Sequence, residues 1–215
     1  MREVLPSGTP VEVVRPAGDP RRGLVMVPDI MGLRPLFDEH VARLAREHEW
    51  AVAAIEPWPG REVLPLEERL NLVGTIRDED LLGDVRAAVD LLAVTPVAVL
   101  GFCMGGMYTL KAAGLGLFDR AVSFYGMVRV PEAWRAPEQG EPLDTIRTGG
   151  AAVMAIVGER DPWTPPDEVA ELEATGATIV RYADAEHGFV HDPARPAHRA
   201  DDAADAWRRV VAFLS

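Results

Sequence analysis

Residues 97–106 constrain the fold of this chain more than any other stretch, and they contain its only cysteine, Cys103. The stretch begins with a short apolar run rich in valine, which predicts a buried strand. The glycines that follow allow a turn too tight for residues with side chains, and residues 107–113 have the pattern of a helix. The sequence therefore predicts that Cys103 lies at a corner between a strand and a helix.

Such a corner resembles the nucleophile elbow of α/β-hydrolases, with sulfur in place of the serine oxygen. The glycines two positions before and after Cys103 would let the strand and the helix pass close together around a strained nucleophile. The helix start also favours a reactive thiolate at Cys103, because backbone N–H groups point towards it. A lone cysteine after an apolar strand can instead be a small buried hydrophobic residue, so the choice depends on its partners.

The composition is that of one soluble globular domain covering residues 1–215, with 48% hydrophobic and 26% charged residues. A net charge of −12 argues against nucleic acid or an anionic membrane as a partner and favours a small-molecule substrate. Residues 91–110 carry no charge, but Pro96 and three glycines interrupt them, so no membrane span is expected. A monomer or a small homo-oligomer is expected.

The single cysteine excludes an intramolecular disulfide, and residues 1–14 lack the apolar region of a signal peptide. We therefore expect a cytoplasmic protein.

Strand patterns alternate with helix patterns along the chain, which predicts an α/β fold with a mostly parallel sheet and helices on both faces. Two segments, 57–77 and 131–149, are rich in proline, glycine and charge, and they are predicted to be loops or short helical covers near the site. Strands are predicted at 11–14, 24–27, 50–55, 120–125, 151–157 and 177–182, and in the apolar run that begins at residue 97.

A cysteine nucleophile needs a base within hydrogen-bond reach, and the base needs an orienting acid. Cys103, Asp161 and His187 follow successive predicted strands in the chain order of an α/β-hydrolase triad. His187 is the one histidine of five that follows a strand in a loop with glycine. Asp161 can also be a turn residue before a proline, and Glu159 and Asp167 remain alternative acids.

These motifs together resemble the dienelactone hydrolase family of α/β-hydrolases, from about residue 24 to the C-terminus. The resemblance implies a Cys103, His187 and Asp161 triad that works without a cofactor. It also implies an oxyanion hole from the backbone N–H groups of Ile30 and Met104. The segments that carry the resemblance are Pro28-Asp29-Ile30-Met31-Gly32, Gly101-Phe102-Cys103-Met104-Gly105-Gly106, Phe124-Tyr125-Gly126, Gly158-Glu159-Arg160-Asp161 and His187-Gly188-Phe189.

The chain departs from the family at two positions. The family glutamate that contacts the resting thiol is Asp29 here, which is either a shorter thiol-activating group or a turn residue. The family arginine four positions after the catalytic histidine is His191, which cannot bind a carboxylate through two parallel hydrogen bonds. The candidates for substrate binding are Tyr125, Trp163, His191, Arg69 and Arg77.

We expect no metal site, because the glutamate of the zinc-protease motif is absent between His187 and His191. The sequence therefore predicts a hydrolase that cleaves a small ester or lactone through an acyl-cysteine. A thioesterase or acyl transferase with the same triad is an alternative, and a non-catalytic protein that binds a small molecule is another.

Overall fold

The computed structural model of the chain describes residues 1–215. Its strands form one eight-stranded sheet. The strands lie side by side in the order β1-β2-β4-β3-β5-β6-β7-β8. Their bounds are β1 Arg2–Val4, β2 Pro10–Val14, β3 Arg22–Val27, β4 Trp50–Ile55, β5 Val97–Phe102, β6 Arg120–Phe124, β7 Ala152–Gly158 and β8 Thr178–Tyr182.

The strand directions confirm the predicted fold class. Strand β2 pairs antiparallel with β1 and with β4, and every other neighbouring pair is parallel. The sequence pattern did not predict β1, because this three-residue edge strand has an exposed, charged sequence. The carboxyl ends of β3 and β5 to β8 lie along one edge of the sheet, where α/β proteins build their sites.

Helices cover both faces of the sheet, as predicted. Helices α1 and α7 pack on one face, and α3, α4 and α6 pack on the other. Alternate residues of β3 serve the two faces, with Leu24 and Met26 on the first and Val25 and Val27 on the second. The helix bounds are α1 Pro35–His48, α2 Leu66–Leu72, α3 Asp78–Leu92, α4 Met104–Ala112, α5 Pro142–Ile146, α6 Pro166–Glu173 and α7 Ala200–Leu214.

The two proline- and glycine-rich segments contribute more to the core than their composition indicated. Segment 57–77 contains α2 and buries Trp58 and Val73, and segment 131–149 contains α5 and buries Trp134. The carboxylate of Asp78 joins the second segment to the body of the protein. It accepts hydrogen bonds from the buried Lys111 Nζ at 2.7 Å and from the Gly140 N–H at 2.8 Å.

Helix α4 begins at Met104, three residues earlier than predicted, so Cys103 is its N-cap. Glycine at positions 101 and 105 makes this close packing possible. A Cβ on Gly101 would lie 2.2 Å from the Gly105 carbonyl oxygen, and a Cβ on Gly105 would lie 2.2 Å from the Val27 and Pro28 carbonyl oxygens. The first turn of α4 therefore packs directly against the backbone at the end of β3.

We expect Gly105→Ala to lower the free energy of unfolding by ~2–3 kcal/mol or more, because the added methyl group overlaps backbone atoms that cannot rotate away. The matched control is Gly83→Ala, since Gly83 lies in α3 and a Cβ there meets nothing within 4 Å. That variant should be ~0.5–1 kcal/mol more stable than the parent, through helix propensity. Urea unfolding measures both changes, and equal stabilities for the two variants would contradict the packing described.

Candidate active site

Cys103 occupies a strained backbone conformation at the junction of β5 and α4. Its φ is 56° and its ψ is −122°, a combination that costs a residue other than glycine about 1–3 kcal/mol. The Cys103 N–H donates a hydrogen bond to the Phe124 carbonyl oxygen at 3.0 Å, which fixes the turn against the end of β6. This conformation directs the side chain into the cavity described below, where Cys103 is half-buried.

The His187 imidazole lies between Asp161 and Cys103. Its Nδ1 donates a hydrogen bond to Asp161 Oδ2 at 2.8 Å, and Asp161 Oδ1 accepts the Trp163 N–H at 2.9 Å. Asp161 is buried, whereas the two alternative acids, Glu159 and Asp167, are exposed. The structure thus brings together the three residues that the sequence singled out.

The protonation of His187 is set by the groups that face it. Burial favours the neutral imidazole, but the charge and hydrogen bonds of Cys103 and Asp161 favour the imidazolium more strongly. Together they raise the pKa of His187 to about 10. At neutral pH the ring therefore carries both protons and can give one away.

The backbone N–H groups of Ile30 and Met104 donate no hydrogen bond within the protein. Met104 follows Cys103 at the start of α4, where N–H groups have no intrahelical partner. Ile30 and Cys103 line the same cavity. The two residues that the resemblance assigned to an oxyanion hole are thus free to donate.

Residues 28–34 form the loop that carries Ile30, and segment 57–77 holds this loop from one side. Trp58 Nε1 donates a hydrogen bond to the Ile30 carbonyl oxygen at 2.8 Å, and the buried Arg69 donates another at 3.2 Å. The Nε and Nη2 groups of Arg69 donate to the carbonyl oxygens of Leu64 and Glu62. Arg69 was expected to bind substrate, but backbone carbonyls occupy it and it does not line the cavity.

The Asp29 carboxylate is fully engaged by donors other than the thiol. Oδ1 accepts from the Met31 N–H at 2.9 Å and from Arg34 at 2.7 Å, and Oδ2 accepts from Arg34 at 2.9 Å and from His191 Nε2 at 2.7 Å. Burial raises the pKa of Asp29, but these hydrogen bonds and charges outweigh burial and hold it well below its usual range. Asp29 is therefore a loop anchor in this structure, closer to the turn residue that was its alternative role.

Three other substrate-binding candidates lie outside the cavity, and the structure corrects them. His191 and Tyr125 are both fully buried and are hydrogen-bonded to each other. Arg77 lies on the surface and pairs with Glu79 at 2.6 Å. His191 and Tyr125 lie at the predicted end of the sheet, but both side chains are buried and line no part of the cavity beside Cys103.

A cavity of about 390 Å³ opens beside Cys103 and His187. Trp163, a predicted candidate, lines it and stacks on Trp134 with the ring centroids 5.4 Å apart. The sequence did not identify Trp134, because nothing in segment 131–149 showed which residue turns inward. The apolar wall consists of Ile30, Met31, Leu66, Leu70, Trp134 and Trp163.

Two arginines that the sequence analysis missed line the same cavity, and they differ in their partners. The Arg34 guanidinium is bound through two hydrogen bonds to Asp29. Arg195 has no carboxylate within 4.0 Å, and its guanidinium packs over Gly188, next to His187. Arg195 is eight positions after His187, and no motif or helical spacing connects the two, so the sequence held no signal for it.

The structure contains no group of three or more His, Cys, Asp or Glu side chains arranged to bind a metal ion. No helix combines the length and apolar character needed to span a membrane.

The model of the dienelactone hydrolase family matches residues 10–215. Among similar proteins, one from Bradyrhizobium sp. that is named a probable 2-oxo-3-(5-oxofuran-2-ylidene)propanoate lactonase is 28% identical over 205 residues, covering 89% of this chain and 82% of its own. A carboxymethylenebutenolidase from Rhodococcus opacus is 27% identical and covers 97% of this chain and 87% of its own.

The fold is also similar to that of solved structures. A protein from Klebsiella pneumoniae subsp. pneumoniae, assigned as a dienelactone hydrolase, superposes with a TM-score of 0.87 at 25% sequence identity. The superposition covers 99% of this chain and 96% of that one. The similarity therefore extends over the whole sheet and all the loops that carry the site.

Proposed function

Because the chain belongs to the dienelactone hydrolase family, we propose that it hydrolyses a small ester or lactone through a triad of Cys103, His187 and Asp161. One observation carries this proposal. One cavity is lined by Cys103, the protonated His187 and Ile30, and the backbone N–H groups of Ile30 and Met104 have no partner within the protein. A nucleophile, a proton donor and an oxyanion site are the groups that acyl transfer requires.

In the acylation step the Cys103 thiolate attacks the carbonyl carbon, and a C–S bond forms while the carbonyl oxygen becomes an oxyanion. The Ile30 and Met104 N–H groups stabilise that oxyanion. The imidazolium of His187 then gives its Nε2 proton to the leaving oxygen as the C–O bond breaks. For a lactone the leaving hydroxyl stays attached to the acyl group, because the broken bond belonged to a ring.

In the deacylation step the neutral His187 accepts a proton from water, and the resulting hydroxide attacks the thioester carbon. The same two N–H groups stabilise the second oxyanion, and the C–S bond breaks to release the carboxylic acid and the Cys103 thiolate. Asp161 holds the His187 ring in one orientation throughout, through the 2.8 Å hydrogen bond to Nδ1.

The wall of the cavity indicates which esters fit. The stacked Trp134 and Trp163 rings offer an apolar surface to a planar acyl group or lactone ring. Arg195 and Asp192 line the same cavity, but Arg195 forms no ion pair within 4.0 Å, so we propose that it contacts an anionic group of the substrate. The name of the Bradyrhizobium relative describes such a substrate, a lactone that carries a propanoate group.

We expect Cys103→Ala to lower kcat/KM by at least ~1,000-fold across a panel of small activated esters and lactones, because the acyl-enzyme cannot form. The panel includes dienelactone and neutral lactones, and circular dichroism confirms that the variant is folded. Equal activity of the two proteins would contradict the cysteine mechanism. Inactivity of both would favour the non-catalytic binding protein.

Asp161 and the alternative acid Asp167 supply a matched pair of variants for the same assay. Asp161→Asn should lower kcat by ~100-fold or more, because the asparagine no longer favours the imidazolium. Asp167→Asn should leave kcat unchanged, because Asp167 is exposed and does not contact His187.

We expect Arg195→Met to raise KM for a carboxylate-bearing lactone by ~10–100-fold, through the loss of a charge-assisted hydrogen bond. KM for the methyl ester of the same compound should change by less than ~2-fold, because the ester has no charge to pair. Arg77→Met is the control, since Arg77 is exposed and paired with Glu79. Equal changes in KM for the acid and its methyl ester would show that Arg195 does not bind the anionic group.

A further inference from the structure

His191 joins three separate parts of the structure although it does not line the cavity beside Cys103. Its Nε2 lies 2.7 Å from Asp29 Oδ2, its Nδ1 accepts from the Tyr125 hydroxyl, and its carbonyl oxygen accepts from His40 Nε2 at 2.8 Å. The side chain has no exposed surface, and the Phe102 ring stacks on it with the centroids 4.9 Å apart. His191 therefore connects the loop of residues 28–34, the end of β6 and helix α1.

The partners of His191 determine its proton positions. The Asp29 carboxylate can only accept a hydrogen bond, so Nε2 carries a proton. Burial lowers the pKa of His191, so the ring is neutral and its Nδ1 is an acceptor for the Tyr125 hydroxyl. The imidazole is thus a neutral bridge with one fixed tautomer.

The bond from His191 to Asp29 differs in kind from the other bonds of that carboxylate. Met31 and Arg34 belong to the same loop as Asp29, so their hydrogen bonds fix the internal shape of the loop. His191 is 162 positions away in the chain, and it is the one partner that ties the Asp29 side chain to the rest of the protein.

The position of Asp29 determines where the Ile30 N–H points, because the two residues share a peptide bond. The carbonyl oxygen of that peptide bond belongs to Asp29 and accepts the Gly32 N–H at 2.9 Å. The Asp29 side chain is held by His191, so the residue before Ile30 is fixed through both its backbone and its side chain. We propose that His191 is a positioning residue for the oxyanion hole, holding the Ile30 N–H in place through Asp29. This role rests on the proposed hydrolysis.

The test compares two reactions of the same sulfur. Hydrolysis of 4-nitrophenyl acetate passes through an oxyanion, whereas alkylation of Cys103 by iodoacetamide does not. His191→Phe keeps a planar ring and removes both side-chain hydrogen bonds. We expect kcat for the ester to fall by ~10–100-fold with KM changed by less than ~2-fold, because one oxyanion donor is displaced. The alkylation rate and its pH profile should match those of the parent protein.

Conservative variants separate positioning from a general structural role. His191→Gln places an amide donor near Asp29 and should recover kcat to within ~5-fold of the parent value. Asp29→Asn should reproduce the pattern of His191→Phe, with lower kcat and unchanged alkylation. The double variant His191→Phe with Asp29→Asn should be no slower than the slower single variant, because both changes break one connection. His191→Gln and Asp29→Asn keep the test decisive if His191→Phe does not fold.

Three results would overturn the inference. A folded His191→Phe protein with the parent kcat would show that the bond does not position the donor. A parallel loss of ester hydrolysis and alkylation would place the effect on the Cys103 and His187 pair. A rise in KM alone would make His191 a substrate-binding residue. Absence of ester hydrolysis by the parent protein is a separate result, which would overturn the proposed function and this role with it.

Discussion

The imidazole of His187 lies between the sulfur of Cys103 and the carboxylate of Asp161, and the charges of these two groups decide how tightly the ring holds its protons. Burial alone would favour a neutral ring, which could not protonate a leaving alkoxide. The opposing charges raise the pKa of His187 to about 10, so in the proposed mechanism the acid for acylation is present at neutral pH. The surrounding loops complete the wall of the cavity beside Cys103 and His187.

Strain and close packing position the sulfur. Cys103 is held at φ 56° by the turn between β5 and α4, and the glycines around it let α4 begin directly against the backbone at the end of β3. The same contact brings the loop of Ile30 next to the N-terminus of α4. Two buried anchors fix that loop, Arg69 with Trp58 on one side and His191 on the other. In the proposed mechanism, the nucleophile and the oxyanion donors therefore depend on one packed unit.

The sequence predicted those features of the fold that follow from local patterns of residues. Apolar runs and helical periodicity predicted the alternation of strands and helices, and the glycine pattern predicted the turn at Cys103. Chain order predicted that Cys103, Asp161 and His187 lie together, because successive parallel strands end at one edge of the sheet. Hydrogen-bond partners that are distant in the chain could not be predicted from local patterns. The types of Arg69 and His191 suit substrate binding, but only the fold shows that they are hydrogen-bonded to Ile30 and Asp29. Likewise, only the fold shows that Arg195 lines the cavity without an ion pair.

The charge of Cys103 raises the pKa of His187 in the resting protein, and an NMR titration of the His187 ring nitrogens measures this effect. The measurement covers the parent protein and Cys103→Ser, in which a neutral hydroxyl replaces the sulfur, with the other four histidines as internal references. We expect His187 to stay protonated to about pH 10 in the parent and to lose its proton at clearly lower pH in the variant. Titration at the same pH in both proteins would contradict it.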